Sequence, residues 1–233
     1  MAADKGGIGK TTTAFELAAA MDALAVDFDW SHGGLTRMWG YDPLAHRGAR
    51  LLDALESGRV PRPLRAARRP ALVPSHPDLG ATSLSAAVVA DSLEAWAVEW
   101  GREFRYAVVD THPGANELTD GAMQAARLVL VPVVLATREM DALEGMLGDY
   151  TDYNLLLVPT KVPRQPPRRL YERLAAAARD ASVPVAPPIS HYPGIPRRVR
   201  RAAMTLEPSP GAWVEAAAAE YRKLAATVEA ICG

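Results

Sequence analysis

Cysteine is almost absent from this sequence: Cys232 is the only one among 233 residues. One cysteine cannot form a disulfide within the chain, nor supply the several thiolates of a cysteine-based metal or cluster site. The five histidines are scattered without zinc-like spacing. The most apolar run, Leu128–Ala136, is far shorter than the ~20 residues of a membrane helix, and no segment resembles a secretory signal. We therefore expect a soluble, cytoplasmic protein without disulfides.

Lysine is scarce as well. The chain has 26 Lys and Arg residues together, and only four of them are lysines. Two of these four, Lys5 and Lys10, lie in the stretch DKGGIGKTTTA, which indicates that an ammonium group is required there. The formal net charge is −1, so any nucleic-acid surface must be local rather than spread over the molecule.

The order of apolar patterns alternates between strand and helix. Predicted strands lie at 23–28, 71–74, 106–109, 128–135 and 155–158, and predicted helices at 11–21, 84–100, 168–181 and 211–231. Such alternation indicates an α/β fold with a mostly parallel twisted sheet and helices on both faces. Functional residues are then expected at the carboxyl ends of the strands. No domain boundary is visible, so we expect a single domain over residues 1–233.

The stretch Asp4–Ala14 has the chemistry of a phosphate-binding loop. Glycines let backbone N–H groups turn inward around phosphate oxygens, a lysine reaches the β- and γ-phosphates, and a threonine hydroxyl ligates Mg²⁺ at the start of a helix. The usual Walker pattern fails at one position, because Asp4 stands where the first glycine belongs. The predicted nucleotide-binding residues are Lys5, Gly6, Gly7, Ile8, Gly9, Lys10, Thr11 and Thr12.

The stretch Lys5–Thr13 resembles the deviant Walker A motif, KGGxGK[ST], of ParA/MinD-type ATPases. This resemblance implies a P-loop NTPase domain that binds ATP and Mg²⁺. In that family the early lysine, here Lys5, reaches across a dimer interface to the partner's nucleotide. The resemblance therefore implies that Lys5 and Lys10 are catalytic, and that ATP binding and dimerisation are one event.

Two further segments are similar to motifs of the same family. Residues 25–29, with Asp27 and Asp29, resemble a strand ending in D-x-D, and residues 106–114 resemble the Walker B strand with Asp110. The resemblance implies that Asp29 positions the attacking water and that Thr11, Asp110 and Asp27 lie at the Mg²⁺. The segment Gly114–Glu117 resembles a switch that senses the γ-phosphate.

The sequence also departs from the family pattern. Only Met1–Asp4 precede the loop, where the family has a full strand, so the start is either truncated or the first strand is unusually short. Trp30-Ser31-His32 replaces the usual Pro-Gln after D-x-D. No residue that reads the adenine base can be identified.

Four arginines cluster at Arg197, Arg198, Arg200 and Arg201. A helix starting at Pro196 would place them within about 160° of one another and would turn Val199, Ala203 and Leu206 towards the core. Outward arginines of this kind suit non-specific DNA binding, although a solvated charged face is the plain alternative. A second cluster at Arg62, Arg65, Arg68 and Arg69 is interleaved with prolines and is interpreted mostly as a loop.

Together these features favour a ParA-like partition or positioning ATPase. Its ATP-sandwich dimer would bind DNA non-specifically, associate with the nucleoid, and be released when a ParB-like adaptor stimulates hydrolysis. The apolar stripe of residues 213–231 lacks a basic face, so membrane binding is not expected. Two alternatives remain: a positioning switch for a protein cargo with little role for DNA, and a P-loop enzyme that phosphorylates or activates a small molecule.

Overall fold

The computed structural model describes residues 7–31, 34–45 and 50–233. Its five strands are β1 (Leu24–Phe28), β2 (Ala71–Val73), β3 (Ala107–Thr111), β4 (Val129–Val134) and β5 (Leu155–Thr160). Its helices are α1 (Lys10–Ala20), α2 (Leu35–Trp39), α3 (Arg50–Ser57), α4 (Ala86–Trp100), α5 (Glu117–Ala125), α6 (Thr137–Asp149), α7 (Arg168–Asp180) and α8 (Ala212–Cys232). All five predicted strands and all four predicted helices are present, with ends shifted by one to two residues.

All strand pairs in the described part of the chain are parallel. Strand β1 lies between β2 and β3, and β4 pairs with β5. The register between β1 and β3 sets Asp27 opposite Asp110 and Phe28 opposite Thr111. The two acidic segments singled out in the sequence therefore end side by side at the same edge of the sheet.

Helices cover both faces of the β2–β1–β3 sheet. Alternate residues of β1 point in opposite directions: Ala25 belongs to a core shared with α1 and α8, whereas Leu24, Val26 and Phe28 belong to a core shared with α3, α4 and α5. A third core surrounds β4 and β5 with α6 and α7. The prediction of a parallel sheet with helices on both faces is confirmed.

The helix predicted from Pro196 is wrong. The chain makes a short 3₁₀ turn at Ile195–Arg197 and then runs extended. Val199, expected in the core, is 93% exposed and Leu206 is 40% exposed, whereas Ala203 is buried as predicted. Long-range hydrogen bonds described below hold this backbone, and they override the local helical pattern.

Among the residues that the structure describes, no helix is both long enough and apolar enough to span a membrane. The C-terminal helix α8 buries its apolar stripe instead, with Ala217, Tyr221 and Leu224 in the core shared with α1. The middle of the stripe therefore packs against α1, whereas its ends at Trp213 and Ile231 are 40% and 38% exposed.

Candidate nucleotide-binding site

A cleft of about 780 Å³ opens where β1, β3 and β5 end. One wall is the glycine loop and the first turns of α1, from Gly7 to Thr13, and Asp29 and Thr160 contribute from the strand ends. The volume is in the range of small-molecule and cofactor sites.

The glycine loop has the backbone geometry that anion binding requires. Gly7 and Gly9 have φ values of 82° and 98°, in the left-handed region that a side chain would strain. Helix α1 begins immediately afterwards at Lys10, and Gly9 at its N-cap position has no side chain that could cap it. The first N–H groups of α1 thus stay available to phosphate oxygens in the cleft.

The loop lysine is already held in place. Lys10 is 6% exposed, and its ammonium donates a hydrogen bond of 2.9 Å to the backbone oxygen of Thr111, the last residue of β3. The predicted phosphate-binding lysine therefore reaches the end of the Walker B-like strand. Thr11 and Thr12 line the same cleft, as predicted.

Asp110 is a buried carboxylate without a hydrogen-bond partner among the described residues. Both of its oxygens lack a partner, and the residue is fully buried. Burial raises its pKa to about 6, although the nearby Thr11 hydroxyl and Lys10 ammonium oppose the shift. A cation would satisfy this carboxylate, so Asp110 and Thr11 fit the Mg²⁺ role predicted for them.

Asp27 differs from Asp110 because its oxygens are occupied. It accepts hydrogen bonds from the Asp29 backbone N–H at 3.0 Å, and from the Thr36 N–H and hydroxyl at 2.6 and 2.5 Å. Burial and the neighbouring Asp110 raise the pKa of Asp27 to about 8. The contacts indicate that Asp27 organises the loop between β1 and α2, and its proximity to Asp110 keeps it beside the predicted metal position.

Asp29 lies at the rim of the cleft and is 7% exposed. One of its carboxylate oxygens accepts hydrogen bonds from the Ser31 N–H at 2.9 Å and hydroxyl at 2.6 Å. These bonds fix the side chain at the rim of the cleft, a place compatible with the water-positioning role predicted for it. No group of three or more His, Cys, Asp or Glu side chains forms a metal cluster within the described ranges. Mg²⁺ does not require one, since it commonly keeps waters and phosphate oxygens.

Thr160, the last residue of β5, and Lys161, which follows it, support the glycine loop, a role that the sequence analysis did not assign to them. The Thr160 hydroxyl donates to the Ile8 carbonyl at 2.7 Å, and the Lys161 ammonium donates to the Gly7 carbonyl at 2.5 Å. Lys161 has a φ of 51°, which is uncommon for a residue with a side chain. A signal was present, because Lys161 is one of only four lysines.

The segment 197–202, which we name the arginine strap, forms another wall of the cleft. Arg198, Val199, Arg200, Arg201 and Ala202 all line it. Beyond the strap, the Glu16 carboxylate of α1 accepts hydrogen bonds from the Met204 and Thr205 N–H groups at 3.0 and 3.2 Å. The strap is therefore tied to the helix that follows the phosphate loop.

The strap arginines are not equivalent. The Arg198 side chain is only 13% exposed, and it donates to Glu207 at 2.5 Å and to the Ala202 carbonyl at 2.9 Å. The expectation that it faces outward is wrong, because a buried carboxylate holds it. Arg197, Arg200 and Arg201 are exposed, as predicted, and Arg200 lies 3.9 Å from the same glutamate.

Lys5 and Gly6 lie outside the described residues, so their roles stay predictions. The arrangement that is described nevertheless defines a class of protein: a parallel α/β fold with a glycine loop, a following helix and two acidic strand ends around one cleft. This is the architecture of a P-loop nucleotide-binding protein.

Comparison with known proteins places the chain in a family. A family model described as an AAA domain matches residues 1–152, more than half of the chain. The chain belongs to this family, and its fold is that of the ParA/MinD-type P-loop proteins. Among curated proteins the sequence finds no significant match.

Several solved structures share the fold. Apo McdA from Cyanothece has a TM-score of 0.76 at 19% identity, with 100% of this chain and 97% of McdA covered. A plasmid partition protein from Borrelia burgdorferi has a TM-score of 0.71 at 16% identity, covering 98% of this chain and 96% of that chain. Cobyrinic acid a,c-diamide synthase from Mycobacterium smegmatis, bound to ADP and magnesium, has a TM-score of 0.69 at 24% identity, covering 98% and 92%. These likenesses confirm the α/β P-loop fold.

Replacing Asp110 with asparagine tests the metal position. The nucleotide-free D110N protein should melt higher than wild type, because a desolvated carboxylate is removed. The pKa of Asp110 is raised from 3.8 to about 6 in the folded protein, so its contribution to wild-type stability falls as pH rises from about 4 to 6, and the variant should flatten the slope in that range. Thermal melts with and without Mg²⁺–ATP check both effects. A variant that keeps the full Mg²⁺-dependent stabilisation would rule Asp110 out as a ligand.

Replacing Lys161 with methionine tests the support for the glycine loop. The loss of a charged hydrogen bond to Gly7 should weaken nucleotide binding about tenfold, since such bonds contribute roughly 1.5–3 kcal/mol. Titration with a fluorescent ATP analogue measures the effect. The matched control is Lys223→Met, an exposed lysine on α8 that does not line the cleft. Equal affinities of the two variants would contradict the role of Lys161.

Proposed function

We propose that the chain is a ParA-like positioning ATPase that converts ATP and water to ADP and phosphate. The observation that carries this proposal is the buried Asp110, whose carboxylate oxygens have no hydrogen-bond partner within the described residues. It lies beside Thr11 and Lys10, which line the cleft together with Asp29. Thr11 and Asp110 would hold Mg²⁺, which neutralises phosphate charge. Structures of fold relatives with ADP and magnesium support this choice of ligand.

The chain's own residues have separable roles in this proposal. Glycine-loop N–H groups and the α1 N-terminus bind the phosphates, and Lys10 stabilises charge that develops on the transferred phosphoryl group. Asp29, fixed by Ser31, orients the attacking water. Lys5 is proposed to reach the partner subunit's nucleotide, so that a dimer forms only around ATP.

In this proposal the ATP-bound protein binds DNA through an arginine-rich surface. Two arginine segments distant in sequence meet there: the Ala203 N–H donates to the Arg68 carbonyl at 2.9 Å, and Arg201 packs against Gly40 beside Arg69. Arg69 itself is engaged, because it donates to the Trp39 carbonyl at 2.7 Å. The exposed arginines proposed to contact phosphates are Arg68, Arg197, Arg200 and Arg201.

The position of this surface supports a link to the nucleotide. Arg200 and Arg201 line the nucleotide cleft, and Glu16 of α1 holds the backbone that follows the strap. Movement of the phosphate loop on ATP binding would therefore reach the strap directly. Dimerisation would double the surface, and hydrolysis stimulated by a ParB-like adaptor would release the protein from the nucleoid.

One observation favours a protein-cargo switch as the second candidate. Val199 is 93% exposed at the centre of the arginine strap. An apolar side chain flanked by cations suits an acidic and partly apolar protein surface as well as DNA. Under this candidate the strap contacts a protein, and DNA binding is weak or absent in every nucleotide state.

Binding to a random-sequence DNA duplex, with ATP, with ADP and without nucleotide, tests the proposal. We expect binding only with ATP, and a steep loss with rising salt, because phosphate contacts release counterions. Binding that ignores the nucleotide would contradict the switch. Absence of binding with ATP would favour the protein-cargo candidate.

A double variant locates the DNA surface. Arg200→Ala with Arg201→Ala should weaken ATP-dependent DNA binding and lower the salt slope by about 4, since the dimer loses four phosphate contacts and each contributes about 0.9. Arg169→Ala with Arg179→Ala, two exposed arginines of α7 outside the cleft, removes the same charge and is the matched control. Equal slopes for the two double variants would place the DNA surface elsewhere.

A further inference from the structure

Trp30 and His112 form a ring stack beside the candidate catalytic residues. Their ring centroids lie 4.0 Å apart with an interplanar angle of 4°. Trp30 directly follows Asp29, and His112 lies two residues after Asp110. No role has been assigned above to either ring.

The stack continues the pairing of two strands beyond their last paired residues. The ladder between β1 and β3 ends with Phe28 opposite Thr111. Past that point both strands lead into loops, which the backbone hydrogen bonds of the sheet no longer align. The Trp30–His112 stack is a contact that joins the loop bearing Asp29 to the segment after Asp110.

Each ring is held by a second contact. A Cβ atom on Gly80 would lie 2.7 Å from the indole Nε1 of Trp30, so the glycine lets the indole edge lie directly against the backbone. Nδ1 of His112 lies 2.7 Å from the Pro113 carbonyl oxygen, and the His112 carbonyl accepts a hydrogen bond from the Thr119 hydroxyl at 3.3 Å. The stack is therefore fixed to the backbone at Gly80 on one side and to α5 on the other.

The consequence concerns the carboxylate of Asp29. Its oxygen is held by Ser31, on the far side of Trp30 in the chain, so the indole lies within the turn that orients this carboxylate. Aromatic stacking is directional and resists sliding of one loop past the other. A shift of about 1 Å in a catalytic group can cost about a hundredfold in rate.

We propose that Trp30 and His112 are positioning residues that fix Asp29 relative to Asp110 for attack on the γ-phosphate. The inference rests on the proposed ATPase function. It assigns the two rings to the hydrolytic step and not to nucleotide binding, because neither ring lines the nucleotide cleft. Loss of the stack should therefore lower kcat and leave KM for ATP nearly unchanged.

Steady-state ATP hydrolysis by Trp30→Ala, Trp30→Phe and the control Trp213→Ala tests the assignment. Trp213 is a partly exposed tryptophan of α8 that does not line the cleft. We expect Trp30→Ala to lose about tenfold or more in kcat with KM within about threefold of wild type. Trp30→Phe keeps a stacking ring and should recover most of the activity, and Trp213→Ala should match wild type.

His112→Ala and the double variant with Trp30→Ala give an independent check, also if Trp30→Ala fails to fold. His112→Ala should lower kcat by a similar factor, and the double variant should be no slower than either single variant, because both changes remove one contact. The positioning role would be overturned if the kcat losses of the two single variants multiplied in the double variant, or if the single variants kept the wild-type kcat. Either result would leave the ATPase function intact. A wild-type protein without ATP hydrolysis would overturn the proposed function, and the positioning role with it.

Discussion

The structure depends on one electrostatic constraint: two aspartates lie side by side, buried, at the ends of adjacent parallel strands. The β1–β3 register sets Asp27 opposite Asp110, and both pKa values are raised by burial. Two carboxylates in such a place are unfavourable unless other groups satisfy them. Asp27 is satisfied by Thr36 and the Asp29 backbone, whereas Asp110 has no partner within the described chain. We propose that a bound cation offsets this cost at Asp110.

The surrounding elements follow from that constraint. Lys10 donates from α1 to the end of β3, and Thr160 and Lys161 hold the glycine loop from the carboxyl end of β5. Glu16 of the same helix captures the backbone beyond the arginine strap. The cleft therefore brings together the predicted phosphate site, the predicted metal position and the arginine strap. A change at the phosphates could reach the strap through these few contacts.

The phosphate loop and the strands beside it could be predicted from the sequence because neighbouring residues determine their conformation. Closely spaced glycines before a helix start predict the phosphate loop, and apolar runs that end in acidic residues predict β1 and β3. The prediction of a helix at the strap was wrong because Glu16, 188 residues before Met204, holds the backbone that follows it. Helical spacing in the sequence cannot indicate such a distant partner. Arg198 was misassigned for a related reason, since the buried glutamate that holds it lies nine residues away in a different turn.

The stack of Trp30 on His112 shows a different limit. In the sequence, Trp30 is a departure from the family pattern and His112 lies in the Walker B-like segment. Their contact follows from the strand register, so it could not be predicted without the fold. The same holds for Arg68 and Ala203, whose hydrogen bond joins two arginine clusters that the sequence presents as unrelated.

We propose that ATP and a second subunit are bound in one event through Lys5. Sedimentation of wild type and of Lys5→Ala, each with Mg²⁺ and either ADP or a non-hydrolysable ATP analogue, tests it most directly, with Lys223→Ala as the charge-matched control. The account predicts that wild type and the control are dimers only with the ATP analogue, and that Lys5→Ala binds the analogue but remains a monomer. Dimers of Lys5→Ala with the analogue, formed as readily as in wild type, would contradict it.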